Sequence, residues 1–359
     1  MTIGDREAAV QARIEAFRRR PPRLTDDHIT TAHGAGGKAS AALVHAVFLP
    51  AFRNSLLDAL DDAAVVDVAA GRLALTTDSY VVTPRRFPGG SIGDLAVNGT
   101  VNDLAMVGAV PQWLMAAFVI EEGLAVAELR TIVADMASAA RRAGVVIVAG
   151  DTKVVDRGAA DGVYITTAGA GVVPVGRRLG AGQVVPGDRV LVSGPIGDHG
   201  VAVLLARGDL ALEADVQSDT AALNGLVEAL LAAAPSTRWL RDPTRGGVAS
   251  ALNELAVAAA VGVVLDETAI PVRPAVAAAC ELLGIDPLYV ANEGRLVAVV
   301  AAHDVGAAMS ALRSDPLGRD AAVIGEIVVE PPGMVTLSTR FGGARIVDLL
   351  VGDPLPRIC

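Results

Sequence analysis

The sequence predicts an α+β protein of two α/β-layer domains with a C-terminal segment, on three observations. Strand and helix signals alternate along the chain once the first 30 residues are past. The first half is also rich in strands that can pair with one another, which favours α+β layers over a doubly wound sheet. Finally, 359 residues, 52% of them hydrophobic, hold material for two cores at roughly 150 residues per domain. The expected divisions are an N-terminal extension over 1–30, a first domain over 31–178, a second over 179–330 and a C-terminal segment over 331–359.

Each element has its own signal. Residues 1–30 are polar and charged, with a break at Pro21-Pro22. The β-branched runs 64–68 and 73–77, joined around Gly71, predict two strands. Residues 91–108 predict a helix and 113–120 a strand. Leu129, Ile132, Val133, Met136 and Ala140 recur at helical spacing, so an amphipathic helix is expected over 125–143, closed by Gly144. A short buried strand is expected over 145–148, ending at Gly150-Asp151-Thr152, and another strand over 163–173. Pro174, Gly176, Gly180 and Gly182 then thin the pattern, which places the domain boundary there. Pro186-Gly187-Asp188 is a turn into a strand over 189–193. Helices follow near 198–207, 219–234, 246–260 and 274–283, then strands near 295–301 and 321–329 around a helix at 304–313. After Pro331-Pro332 comes a short strand over 335–337.

Composition excludes several classes of function. A mean hydropathy of +0.48 excludes a wholly disordered chain. A net charge of -10 argues against binding a phosphate backbone, which needs clustered Lys and Arg. The basic run from Arg18 to Arg23 reads either as a solvated leader or as a docking arm for an acidic partner. The opening MTIGDREAAVQARIEAF carries acids where a secretory signal needs an apolar core. The longest uncharged stretch, 104–120, is interrupted by Pro111 and Gln112 and falls short of the roughly 20 residues that span a bilayer. Two cysteines, Cys280 and Cys359, are too few for a disulfide framework or a zinc site, and fit a reducing compartment. A soluble, cytoplasmic protein without nucleic-acid or membrane partners is expected.

Aspartates at the ends of apolar runs are the strongest chemical signal. Asp62 precedes AAVV, Asp78 ends LALTT, Asp103 sits in GTVNDLA and Asp151 ends VVIVAG. Short acids at strand ends can converge on one rim, and carboxylate oxygens suit Mg²⁺ together with phosphate oxygens. The alternative is that Asp serves here only as a turn and N-cap residue. The glycine-rich run His33-Gly34-Ala35-Gly36-Gly37-Lys38 could cradle a phosphate on backbone N–H groups, or be a simple flexible loop. It is not a Walker loop, because Ala39 stands where the metal-binding Ser or Thr would be. Asp242-Pro243-Thr244-Arg245-Gly246-Gly247 offers a carboxylate, a guanidinium and helix N-terminal amides together, and SGPIGDHG over 193–200 is a similar strand-to-helix turn. Lys153 follows Asp151 by two residues, so on an extended segment both side chains share a face. Cys280 sits on an apolar helix and reads as inert core, whereas Cys359 is the last residue in the sequence, on a proline-stiffened tail.

A resemblance follows from these segments. DSYVVTPRRFPGGSIGDLAVNGTVNDLAMVGA, AGDTKVVDRGAADGVYITTAG, SGPIGDHG, DPTRGGV, ANEGRLV, DPLGRDAAVIGE and the closing PRIC resemble the HypE family of hydrogenase maturation factors. These carbamoyl dehydratases are similar in fold to aminoimidazole ribonucleotide synthetase and selenophosphate synthetase. The likeness runs from about His33 to Cys359, and PRIC is its most specific element. Ala35 occupies the position where selenophosphate synthetases place Cys or selenocysteine, which argues against that activity.

The resemblance implies two domains of the aminoimidazole ribonucleotide synthetase type with a flexible tail, and an ATP- and Mg²⁺-dependent dehydration. A HypF-type carbamoyltransferase would load the thiol of Cys359, the S-carbamoyl group would be dehydrated to a thiocyanate, and a HypC–HypD complex would accept the cyanide. A homodimer formed through the first domains is also implied. Asp62, Asp78, Asp103, Asp151 and Asp242 would hold the metal. Gly34, Gly36, Gly37, Lys38, Asn102, Thr152 and Arg245 would bind the nucleotide with Asp62, Asp78, Asp103 and Asp151. Lys153 and Glu293 would handle protons and position the carbamoyl group, with Cys359 as the covalent carrier. Two other functions stay open at this level: a non-catalytic thiol carrier relaying a group between partners, and another ATP-dependent synthetase of the same fold acting on a free small molecule.

Overall fold

The computed structural model describes residues 23–25, 37–48, 60, 63–68, 71–208, 214–349 and 358. Each of its two main sheets draws its strands from one side of the 174–182 stretch. The first has five strands in the order β1-β2-β7-β5-β6. These are β1 (Ala64–Val68), β2 (Gly71–Tyr80), β5 (Val110–Glu121), β6 (Val146–Val155) and β7 (Val163–Val173). A small hairpin, β3 (Arg86–Phe87) and β4 (Gly90–Ser91), follows β2. Every pairing in the large sheet is antiparallel except β5 with β6. The expected α+β layering is therefore present.

Ahead of this sheet lies a short helix, α1 (Lys38–Leu43). On the sheet lies α2 (Ile92–Met106), capped by Ser91, whose Oγ accepts the Asp94 N–H. Almost every residue of α2 is buried, so it is a central helix with no polar face. Its Gly99 is required by packing: a Cβ there would stand 2.4 Å from the Tyr80 hydroxyl. Outside α2 packs α3 (Val126–Ala143), the expected amphipathic helix, which ends at Gly144 in the left-handed conformation.

The strand near 145–148 departs from expectation. It extends over the ten residues of β6 and is exposed along nearly its whole length. It pairs only with β5 and forms the open edge of the sheet, so an apolar run that reads as buried stands uncovered.

The second sheet has seven strands in the order β14-β13-β10-β12-β8-β11-β9. These are β8 (Arg189–Val192), β9 (Thr237–Arg241), β10 (Gly262–Asp266), β11 (Val297–Val300), β12 (Ala322–Val328), β13 (Met334–Ser338) and β14 (Ala344–Val347). Its helices are α4 (Asp198–Ala206), α5 (Asn224–Ala233), α6 (Gly247–Ala259), α7 (Pro274–Leu283) and α8 (Val305–Ser314). The predicted helix over 219–234 starts only at Asn224. Strands β9, β10 and β14, which are too short to stand out as patterns, complete the sheet by pairing. Cys280 lies buried on α7, and burial pushes its thiol up to about 11.

One hydrophobic core crosses the boundary between the halves. Tyr80, Val82, Phe87 and Leu95 of the first half share it with Val201, Val276, Cys280 and Val290 of the second. Ile358 joins the same core and forms an antiparallel bridge with Val82. Burying such an isoleucine side chain stabilises by about 1.5–3 kcal/mol. No described helix is long and apolar enough to cross a membrane.

Candidate active site

Strand β2 presents Ala74, Thr76, Asp78 and Tyr80 on the side less open to solvent, as its two-residue period dictates. Thr76 donates from Oγ1 to Asp103 Oδ2 of α2 at 2.8 Å. The Tyr80 hydroxyl lies 3.3 Å from Thr100 Oγ1, which in turn meets Thr167 Oγ1 at 2.5 Å. Burial raises the Tyr80 pKa well above the ordinary phenol range, and the charges of Asp78, Asp103 and Glu293 raise it further. Tyr80 thus marks where acids of both halves meet.

Glu293 enters this region from the turn before β11. It is 3% exposed, and its Oε1 has no hydrogen-bond partner. Burial is the first cause that raises its pKa well above the usual carboxylate range; Asp242, Asp78 and Asp219 add to it, and only Arg245 opposes. A buried carboxyl with a raised pKa and an unbonded oxygen can exchange a proton with a group placed beside it.

The backbone around Glu293 is fixed closely. Its N–H donates to Asp219 Oδ1 at 3.0 Å. A Cβ on Gly294 would fall 1.7 Å from the Asp219 carbonyl oxygen, so only glycine fits there. Asn292 joins three of the quoted motifs. Its Oδ1 accepts the Gly197 N–H at 2.8 Å, and its Nδ2 donates to the Pro243 carbonyl at 3.0 Å. Behind them Arg295, also buried, donates to the Pro195 and Gly294 carbonyls and faces Asp219 at 3.6 Å and Asp198 at 3.7 Å. Burial raises the Asp198 pKa in spite of its bond to Arg273.

The predicted site residues fall into five groups. Asp78 and Asp103 act through their charges on Tyr80, as does Glu293, and Asp78, Asp242 and Arg245 act on Glu293. Asp151, Thr152 and Lys153 stand on the exposed edge strand β6. There Lys153 Nζ pairs with Asp151 at 2.8 Å, and this bond is the first cause that lowers the Asp151 pKa. Asn102 ties the halves together, donating to the Ala221 carbonyl at 3.0 Å and accepting the Leu223 N–H at 2.8 Å. Gly37 is buried ahead of α1, and Lys38 bonds Asp348 at 2.9 Å. Gly34, Gly36, Asp62 and Cys359 lie outside the described residues. Among the described residues no three His, Cys, Asp or Glu side chains gather as a metal cluster. Sequence reasoning missed Tyr80, His199, Asp219 and Asn292. Asp219 lies in the stretch read as helix, whereas His199 and Asn292 adjoin or sit in motifs already singled out.

Two family profiles match this arrangement: the AIR synthase related protein N-terminal domain over residues 60–173 and its C-terminal domain over 185–337. The fold and the site define a protein of that class. A carbamoyl dehydratase HypE from Rhodobacter capsulatus is 57% identical over 339 residues, covering 94% of this chain and 99% of its own. A crystal structure of a HypE–HypF complex superposes with a TM-score of 0.82 at 48% identity, covering 86% of this chain and 100% of the other. A structure of HypE in complex with ATP does so with a TM-score of 0.78 at 46% identity, covering 92% of this chain and 100% of the other. The chain belongs to the carbamoyl dehydratase HypE family, and is thus an enzyme of the dehydratase class.

Proposed function

We propose that the chain dehydrates an S-carbamoyl group on Cys359 to a thiocyanate at the expense of ATP, supplying cyanide for a [NiFe]-hydrogenase active site. The observation that carries this reading is Glu293, a buried carboxyl with an unengaged oxygen whose pKa is raised by burial and by the charges of Asp242, Asp78 and Asp219. The solved relative with ATP and the relative in a HypF complex support the nucleotide and the partner.

The chemistry balances as follows. The γ-phosphoryl group passes to the carbamoyl oxygen, the C–O bond breaks with that oxygen leaving as phosphate, and both N–H protons are lost as C≡N forms. ADP, phosphate and the S-cyano group result. The charges of Asp78 and Asp103 act on Tyr80, and those of Asp78 and Asp242 on Glu293; in this reading they would hold Mg²⁺ together with Asp62, Asp151 and the phosphate oxygens of the nucleotide. A bound Mg²⁺ would neutralise charge on the transferring phosphoryl group. Glu293 places the carbamoyl group and takes part in its proton transfers, with Lys153 as the second proton-handling group.

Lys153 and Asp151 reach such a site through a second copy of the chain. Strand β6 is an uncovered edge, and Val146, Val148 and Val154 on it and Trp113 and Met115 on β5 are exposed large hydrophobics. An apolar open edge of this kind invites pairing with another chain. We therefore read the protein as a cytoplasmic homodimer built on this sheet, with a HypF-type carbamoyltransferase and a HypC–HypD complex as partners.

The test is phosphate release from Mg-ATP before and after carbamoylation of Cys359. Release stimulated by the carbamoyl group, and lost in Cys359→Ala, is expected; release indifferent to both points to a free small-molecule substrate.

A further inference from the structure

We propose that His199 is the positioning residue that seats the C-terminal tail, its Nε2–H holding the Ile358 carbonyl while Val82 pairs with the Ile358 backbone. Four observations carry this. His199 is the second residue of α4 and is fully buried, with its ring edge-on to Phe87 at 5.5 Å between centroids. Its Nε2 lies 2.5 Å from the Ile358 carbonyl oxygen. Ile358 is 6% exposed, within the apolar core that also contains Val82 and Phe87. The Val82–Ile358 bridge adds a backbone contact in the manner of an added strand.

The ring's hydrogen bonds fix its tautomer. Ser218 Oγ already accepts the Thr220 N–H at 3.1 Å and lies 2.8 Å from His199 Nδ1. The Ile358 carbonyl can only accept, so the ring hydrogen sits on Nε2 facing it, and Nδ1 accepts the Ser218 hydroxyl. Burial lowers the His199 pKa, against the opposing charge of Asp219 and the bond to the Ile358 carbonyl. The seat also adjoins the acid cluster. Asp219, next to Ser218, takes the Glu293 N–H and lies close enough to His199 to act on its charge. One residue past Ile358 the chain has about 3.8 Å of Cα reach. A latch at Ile358 therefore bounds where the carrier residue can be delivered relative to Glu293. The inference rests on the dehydratase reading only for what the seated state is for.

The experiment is digestion of the full-length protein by a carboxypeptidase, without nucleotide or carbamoyl donor, reading loss of Cys359 and Ile358 by intact mass. A synthetic peptide of the last nine residues gives the unprotected rate. The tail sequence is the same in every variant of His199 and Ser218, so only seating changes. Digestion slower than the peptide is expected for the parent protein. His199→Phe, which keeps an aromatic ring and removes the donor, should speed digestion about two- to tenfold, the worth of one hydrogen bond. His199→Gln, whose Nε2 can donate from nearly the same place, should restore protection. Ser218→Ala, which frees the tautomer without touching the tail, should give a smaller acceleration in the same direction. Equal rates for the parent, His199→Phe and Ser218→Ala overturn the proposal, as does a His199→Gln variant as unprotected as His199→Phe. Because no ATP is present, failure of the dehydratase reading leaves this result unaffected, and the reverse also holds.

Discussion

Replacing Arg295 by Met tests whether the buried charge network supports the site. The thioether keeps much of the arginine stem's volume while the guanidinium is lost. The Pro195 and Gly294 carbonyls then lose their donor, and Asp219 and Asp198 lose a cation at 3.6 Å and 3.7 Å. Arg273 still pairs with Asp198, so Asp219 bears most of the loss. Removing one partner of a buried ion pair costs about 3–5 kcal/mol. At about 2–4 °C per kcal/mol for a domain of 150–250 residues, the melting temperature should fall by roughly 6–20 °C. Asp198, whose pKa burial already raises, loses one of the two cations that oppose the rise. The penalty is then fully present above the folded pKa and is lost as pH falls toward the unfolded one. Thermal melts of Arg295→Met and the parent at about pH 7.5 and about pH 5 should show the gap narrowing in acid, around the aspartate range. A gap below 2 °C, or one that is equal at both pH values, refutes the reasoning.

Other outcomes follow from the same geometry. Glu293→Gln should reduce ATP-dependent turnover by about 10²- to 10⁴-fold and leave a folded protein. Because the Glu293 pKa is raised on folding, the parent loses stability as pH climbs from about 4.3 toward the raised value. Denaturant titrations of Glu293→Gln across that range should show a shallower pH slope. Cys280 is buried with its thiol near 11, so a maleimide at neutral pH should label one thiol per chain, and none in Cys359→Ser. Val148→Lys places a charge on the exposed β6 edge and should shift the protein from dimer to monomer in sedimentation, with the melting behaviour of the monomer's cores retained.

The elements most readily found in the sequence were those whose pattern is local. Helix α3 is marked by Leu129, Ile132, Met136 and Ala140 at helical spacing and by Gly144. Cys280 is buried on its apolar helix and burial raises its thiol pKa, in keeping with its surroundings in the sequence. Burial was less legible where it depends on partners: β6 reads as a buried run, yet its place at the sheet edge leaves it exposed. Strands β9 and β10 have only five residues each and are defined by the neighbours they pair with. In the site, the motifs showed which residues mattered without showing how they meet. Glu293 owes its character to Asp242, Asp78 and Asp219, which lie scattered along the chain. Asp219 is hidden at the start of an apolar stretch, and His199 acquires a role only once Ile358 lies against it.

The central claim is tested most directly by the mass of the C-terminal peptide after carbamoylation, with and without Mg-ATP. The carbamoyl group can come from a HypF-type partner or, more crudely, from cyanate. Loss of one water's mass at Cys359 only when ATP is present is the predicted result. A carbamoyl group that persists through the full incubation on folded protein contradicts the account.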